Sequence, residues 1–162
     1  MFAGLLLTGC YGHDAVIGKS AHPDGASAPV QFAFDSLDVR PVSTATVIGK
    51  PTVVSFVTTW DLSSQAQVDF LVPMSKRDRS AVNYLMVAVQ EPQDREMIQV
   101  FTSHLHVDFP VAIVEKDNID GGPFGEIKAV PTTIILDRSA RMVWRHVGLA
   151  RPEEIRAGLA GL

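Results

Sequence analysis

The sequence predicts an α/β fold, with a central mixed β-sheet flanked by helices and a β-hairpin at the N-terminal end. Apolar runs of strand length alternate with stretches whose apolar residues recur at helical spacing, as in the run within 49–60 followed by 62–74. Near the C-terminus, two strand patterns at 127–137 and 141–148 are joined by the short turn 138–140, which is typical of an antiparallel hairpin. Strands linked through helices, followed by a terminal hairpin, indicate a mixed sheet.

The first half of the chain contains the patterns for the hairpin, one strand and one helix. Short alternating segments at 30–34 and 39–42 flank the sequence Asp35-Ser36-Leu37-Asp38, whose composition favours a turn. A β-branched run then ends at Trp60 and meets Asp61, which opens a helix. The apolar positions expected along that helix are Leu62, Ala66, Phe70, Leu71 and Met74.

The second half of the chain predicts two strands, two helices and the C-terminal hairpin. Residues 84–89 form a continuous apolar run, as in a strand buried on both faces. Met97, Ile98 and Phe101 are expected to face the core from the next helix, and Pro152 suits the first turn of a closing helix. In chain order these remaining elements are a helix at 93–104, a strand at 109–114 and the closing helix at 152–162.

The amino-acid composition excludes several classes of function. A chain of 162 residues with 46% hydrophobic and 20% charged residues suits one globular domain with a short tail. The net charge of −4, without a basic stripe, argues against nucleic-acid binding. The single cysteine, Cys10, excludes an internal disulfide, a zinc–cysteine cluster and a dithiol redox pair within one chain.

The N-terminal segment is interpreted as a signal for export and lipid anchoring. Residues 1–9 are apolar and end in Leu-Thr-Gly before Cys10, which resembles the bacterial lipobox, where the signal is cleaved and the cysteine is lipidated. This implies a signal remnant at 1–9, a lipidated Cys10 with a flexible tether at 10–29, and a folded domain at 30–162. Tyr11 after the cysteine implies the outer membrane rather than the inner one. The alternative is an ordinary apolar N-terminus with a chance cysteine.

Two motifs carry a resemblance to a known family. They are Trp60-Asp61-Leu62-Ser63-Ser64 between a strand and a helix, and Val130-Pro131-Thr132 before the hairpin. Together they resemble the active-site loop and cis-proline loop of thioredoxin-fold thiol-disulfide oxidoreductases of the TlpA and ResA type, relatives of the AhpC/TSA proteins. Asp61 and Ser64 stand where that family has its two cysteines, and Pro131 would be the cis proline. The resemblance covers about residues 32–162.

The degenerate site predicts the loss of dithiol chemistry. Asp61 is a favourable N-cap, whose oxygen can accept a hydrogen bond from the backbone N–H of Ser63 or Ser64. A carboxylate cannot attack a disulfide, and a serine hydroxyl without a neighbouring base is too weakly acidic to resolve one. Thr58 to Asp61 also match the peroxiredoxin Thr-x-x-Cys frame with its cysteine replaced. We therefore expect no enzymatic activity from this site.

No cofactor or metal is expected. His104, His106 and His146 could suggest the copper sites of thioredoxin-fold assembly factors, but those sites use cysteine pairs that this chain lacks. Histidines at a helix end also favour its negative pole without binding a metal.

The surface beside the lost redox site is the candidate binding region. The resemblance implies that Trp60, Leu62, Val130, Pro131 and Thr132 converge there and hold an extended partner segment by strand-like pairing, which needs no thiol. The sequence thus predicts a redox-inactive accessory lipoprotein of the bacterial cell envelope, facing the periplasm and binding a protein partner. The alternatives are a vestigial surface, and an oxidoreductase or peroxiredoxin-like antioxidant protein that uses a thiol from elsewhere.

Overall fold

The computed structural model describes residues 19–21, 28–119 and 122–162. Its strands, in chain order, are β1 (Lys19–Ala21), β2 (Ala33–Ser36), β3 (Val42–Ser43), β4 (Thr52–Val57), β5 (Asn83–Val89), β6 (Val111–Val114), β7 (Thr132–Leu136) and β8 (Met142–Val147). Its helices are α1 (Thr44–Val47), α2 (Leu62–Asp78), α3 (Arg95–His104), α4 (Lys116–Ile119) and α5 (Pro152–Leu159), with a 3₁₀ turn at Pro92–Asp94.

The strands form one mixed sheet in the order β1-β8-β7-β4-β5-β6-β2-β3. β4, β5 and β6 are parallel, and β7 and β8 form the predicted antiparallel hairpin beside β4. The central strands β4, β6 and β7 are buried along their whole length, so alternate side chains enter two separate cores. The predicted mixed sheet with flanking helices is confirmed.

The two cores lie on opposite faces of the sheet. On one face, side chains of α2, α3 and α5 pack against residues such as Val57, Met86 and Trp144. On the other, Phe56 and Val87 pack against the N-terminal hairpin region, α1 and the segment around Phe124. Most of the apolar burial that stabilises the domain is therefore shared between two layers built on one sheet.

The N-terminal hairpin is present, with boundaries that differ from the prediction. Ala33 pairs with Ser43 and Phe34 with Val42, so the hairpin is antiparallel. Asp35 and Ser36, which the sequence places in the turn, continue β2 and pair with β6. The edge of β6 extends β2 beyond the local turn signal, because sheet pairing overrides turn composition.

A short edge strand was not expected from the sequence. Lys19–Ala21, within the predicted tether, pair antiparallel with Arg145–Val147 of β8. The rest of the predicted signal remnant and tether up to residue 27, including Cys10, lies outside the described residues.

Two helix faces differ from their predicted orientation. Met97 of α3 is exposed, whereas Ile98 is buried and Phe101 packs at the core margin as expected. In α2 the predicted core positions Leu71 and Met74 are buried, Ala66 and Phe70 are half-buried, and the predicted first position, Leu62, is exposed. The rest of the buried face is formed by Ser64, Gln67, Val68, Val72 and Ser75. Because several residues of this buried face are polar, the hydrophobic pattern of the sequence does not show which face of the helix is buried.

Candidate functional site

The turn between β4 and α2 holds the degenerate motif, and Asp61 is its N-cap. The Asp61 carboxylate accepts a hydrogen bond from the backbone N–H of Ser64 at 2.7 Å, one of the two donors the sequence left open. The carbonyl of Asp61 accepts the first helical bond, from Gln65. A negative side chain thus lies at the positive end of a helix of 17 residues, where it stabilises the helix start.

We expect Asp61→Ala to lower the free energy of unfolding by about 1 kcal/mol, because the N–H of Ser64 loses its acceptor. Asp61→Asn should cost less, since an amide oxygen still caps the helix. Urea denaturation of the variants measures both. Asp69→Ala, an exposed acidic position on the same helix, is the control, and an equal loss in Asp69→Ala would contradict the capping role.

Ser64 has a structural role in the first turn of α2. Its side chain is fully buried, and its hydroxyl oxygen accepts a hydrogen bond from the backbone N–H of Thr58 at 3.2 Å. Ser63 is exposed on the next position of the helix. The hydroxyl of Ser64 therefore closes the turn between strand and helix at the position where the family resemblance places the second cysteine.

The end of β5 and the start of α3 brace the same turn. The backbone N–H of Thr59 donates to the side-chain carbonyl of Gln90 at 2.8 Å, and the Thr59 hydroxyl contacts the Met97 sulfur at 3.2 Å. Gln90 is buried and directly follows β5. The sequence predicted neither of these two contacts. Its only indication of them is a polar residue, Gln90, at the end of an apolar strand.

The segment before β7 lies beside this turn. Phe56 of β4 pairs with Thr132 of β7, which places Pro131 next to the carboxyl end of β4. The Val130–Pro131 peptide bond is cis, as the resemblance implied. Pro131 and Thr132 are buried, whereas Val130 is half-buried. Within the described ranges, the backbone N–H and C=O of Val130 make no hydrogen bond, so neither group has a partner within the fold.

A buried glutamine joins α2 to the loop after β8. The Gln67 side chain donates to the backbone carbonyl of Ala150 at 3.1 Å and accepts from the backbone N–H of the same residue at 2.8 Å. Gly148, in the same loop, donates to the carbonyl of Pro131 at 2.8 Å and has a φ of 96°, a value that glycine adopts without steric cost. These bonds hold three segments in a fixed arrangement around the site.

Arg145 holds the segment that leads towards Val130. Its guanidinium donates to the backbone carbonyls of Phe124 and Glu126. Burial lowers the pKa of Arg145, and the charge of Glu126 acts in the opposite direction. The arrangement anchors this segment to β8 through two backbone carbonyls.

The predicted site residues differ in their exposure. Trp60 is 66% exposed and Leu62 is 82% exposed, beside the capped helix start. Pro131 and Thr132, at the end of β7 that lies next to the carboxyl end of β4, are buried, and Val130 is half-buried. The arrangement offers exposed apolar side chains and a free backbone edge, with an oxygen rather than a sulfur at positions 61 and 64.

The histidines considered as metal ligands occupy different elements. His104 and His106 are exposed at the end of α3, whereas His146 is buried in β8 and stacks on Trp144. Among the residues that the structure describes, no three His, Cys, Asp or Glu side chains are grouped so as to hold a metal ion.

A cavity of about 400 Å³ lies at the opposite end of the sheet. Phe109, Ser75 and an Arg79–Asp108 ion pair of 2.6 Å contribute to its lining, together with Tyr84. The Tyr84 hydroxyl donates to Asp78, and burial, followed by this hydrogen bond, raises the pKa of Tyr84. None of the sequence-predicted site residues lines this cavity.

Solved structures, and not sequence comparisons, show which proteins this chain is similar to. No protein-family model and no curated protein matches the sequence. A DsbF homologue from Corynebacterium diphtheriae superposes with a TM-score of 0.77 and 18% identity, over 98% of this chain and 100% of the other. The chain has a thioredoxin-like fold.

Two further solved structures show the same fold. A secreted disulfide oxidoreductase of Mycobacterium tuberculosis, described as homologous to E. coli DsbE, has a TM-score of 0.68 and 21% identity, over 82% of this chain and 97% of its own. A thioredoxin-family thiol:disulfide interchange protein from Chlorobium tepidum has a TM-score of 0.71 and 21% identity, over 85% and 96% of the two chains. These three structural neighbours are thus thiol-disulfide proteins or their homologues, and one of the three is described as secreted. In the described part of the chain, no helix has the length and apolar character needed to cross a membrane.

Proposed function

We propose that this thioredoxin-like chain is a redox-inactive protein-binding module of the bacterial cell envelope, of the TlpA and ResA type. One observation carries the proposal: exposed apolar side chains and a free backbone edge surround a helix start that has Asp61 and Ser64 in place of a dithiol. Such a surface can bind an extended segment through backbone hydrogen bonds without any sulfur. The partner segment pairs with the backbone of Val130, beside Trp60.

The cellular location belongs to the same proposal. The lipobox-like sequence before Cys10 supports a lipid anchor, and Tyr11 after it supports the outer membrane, with the domain facing the periplasm. A structural neighbour described as secreted is consistent with a location outside the cytoplasm. Mass spectrometry of the native N-terminus should find an acylated Cys10 and no residues before it.

The binding function is tested by crosslinking in intact cells that express the full chain. Purification of the wild type should recover one specific protein, and Trp60→Ala or Val130→Pro should abolish its recovery, because the first removes apolar contact and the second removes the free N–H. Val39→Ser, at a side chain that is 98% exposed and lies in the hairpin loop, is the control. The wild type should show no turnover in an insulin-reduction assay. Failure to recover any specific partner would overturn the proposal.

A second function is favoured by one observation, the position of β1. Lys19 pairs with Val147 of β8, and Val147 in turn pairs with Thr132, next to Pro131. Cys10 precedes Lys19 by nine positions, a length that spans up to ~30 Å when extended. A free Cys10 thiolate could then attack a partner disulfide beside Trp60, forming a mixed disulfide and releasing one thiolate of the partner. An acylated Cys10 would exclude this function, and a free thiol at Cys10 would favour it.

A further inference from the structure

A strip of exposed apolar residues extends from the degenerate site onto α3. It consists of Trp60, Leu62, Met97 and Val100, which are 66%, 82%, 51% and 65% exposed. The contact between the Thr59 hydroxyl and the Met97 sulfur joins the two halves of the strip. Met97 and Val100 lie three residues apart on α3 and therefore share one face of the helix. These four residues are most of the large apolar side chains that the described part of the chain exposes.

The strip offers no backbone for strand pairing. The two strands that end beside it, β4 and β5, are each paired on both edges, in the order β7-β4-β5-β6. A partner at this position must therefore bind through side chains, unlike a segment that pairs with Val130. A partner helix with apolar residues at positions i, i+3, i+4 and i+7 presents them along one face. Such a face matches a strip formed by a helix start and one face of a second helix.

The charges around the strip are acidic. Asp61 is next to Trp60 and Leu62 in the chain, and Asp69 lies two helical turns after Leu62 on the same face of α2. Glu96 precedes Met97 and lies one turn before Val100, and Glu91 follows the brace at Gln90. All four carboxylates are at least partly exposed.

The basic groups of the same elements are directed elsewhere. The Arg95 guanidinium donates to the backbone carbonyls of Ser36 and Leu37. Lys76 and Arg77 of α2 are in its last turn, at the opposite end of the helix from Leu62. Along α2 and α3 the charges next to the strip are therefore negative, which favours a positively charged partner.

We infer that the strip binds an amphipathic, basic helix of a protein partner, with its apolar face on Trp60, Leu62, Met97 and Val100 and its Lys or Arg residues beside Asp61, Asp69, Glu91 and Glu96. This inference rests on the proposed binding function and adds a second docking element to it. The partner contributes an extended segment at Val130 and a helix on the strip.

The test uses the full chain and two synthetic peptides of about 18 residues, long enough for about five helical turns. Both peptides have leucines at i, i+3, i+4 and i+7; one has lysines on its polar face and the other has glutamates. Binding is followed by the fluorescence of Trp60, with Trp60→Phe as the blank, because the second tryptophan, Trp144, is buried. We expect saturable binding of the lysine peptide, weakened by high salt, and much weaker binding of the glutamate peptide.

Variants locate the binding surface. Met97→Ser, Val100→Ser and Glu96→Lys should each weaken binding of the lysine peptide by about fivefold or more, while Val39→Ser leaves it unchanged. Equal binding of both peptides, or no effect of the three α3 variants, would overturn the inference. Sedimentation of the full chain provides a second check. A dimer that Val100→Ser dissociates would show that a second copy covers the strip, and would also overturn it.

The in-cell crosslinking separates this inference from the proposed function. Recovery of the partner that depends on Trp60 and Val130 but not on Met97 or Val100 would leave the proposed function standing and refute the helix. Where the α3 variants also reduce recovery, the segment of the partner crosslinked to α3 should contain Lys or Arg and apolar residues at helical spacing. A crosslinked segment without these features would refute the helix as well.

Discussion

Replacing Asp61 and Ser64 together by cysteine is expected to give the chain insulin-reductase activity that the wild type lacks. Position 61 is a partly exposed helix N-cap and position 64 lies in the first turn of the same helix, beside the cis Val130–Pro131 bond. The partial positive charge of the helix start should lower the pKa of the thiol introduced at position 61 from about 8.5 to about 7 or below. Its thiolate would attack the substrate disulfide, and the thiol at position 64 would release the reduced substrate and close a disulfide, which dithiothreitol reopens.

The measurement is the rate of insulin reduction by dithiothreitol with and without the protein, together with the pH dependence of thiol alkylation. Asp61→Cys alone is the matched control, because one sulfur at this position forms a mixed disulfide but cannot resolve it. An inert double variant with an intact circular dichroism spectrum would mean that the redox position has been assigned to the wrong residues. The double variant also loses the Asp61 cap, so its free energy of unfolding in the reduced form should be about 1 kcal/mol lower.

Replacing Gln67 should produce the largest loss of stability among the substitutions considered. Gln67→Ala leaves the backbone N–H and C=O of Ala150 without partners. The loss is costly because Gln67 and Ala150 are both fully buried. Each unsatisfied buried group costs about 1–3 kcal/mol, so we expect the free energy of unfolding to fall by roughly 2–6 kcal/mol. Urea denaturation measures the loss. Gln65→Ala on the same helix is the control and should change stability by less than about 0.5 kcal/mol.

Gln67→Glu tests the same contact through pH. At neutral pH a carboxylate in this position can still accept from the N–H of Ala150, but it faces the carbonyl of Ala150 without a proton to donate. Protonation restores the donor, and burial raises the pKa of such a carboxyl in the folded state. The deficit of Gln67→Glu relative to wild type should therefore shrink as the pH falls through that raised pKa. A deficit that is independent of pH would contradict the two-way hydrogen bond.

Local patterns predicted the central elements because each has a sequence signal of its own. The continuous apolar runs that became β4 and β5 require burial on both faces, and only a central position in a sheet provides that. Asp61 before a helical pattern and Pro152 with two following glutamates mark helix starts in the sequence. Most of the sheet and of the degenerate site could therefore be predicted without a structure.

Exposure at the site could not be predicted in the same way. Leu62 and Met97 are apolar residues at helical spacing, which favours core positions, yet both are exposed. Gln67 is polar but fully buried, because the backbone of Ala150, 83 positions later, satisfies both ends of its amide. Hydrophobic spacing reports an average preference, and a long-range hydrogen bond has no local signal.

The sequence by itself determined the α/β architecture, the absence of a dithiol and the capped helix at Asp61, because each depends on neighbouring residues or on composition. Only the tertiary structure decided what surrounds that helix start: the braces from Gln90 and Gln67, the pairing of β1 with β8, and the apolar strip that joins Trp60 to α3. These features bring together residues that are distant in the chain, and their geometry follows from how the sheet orders its strands.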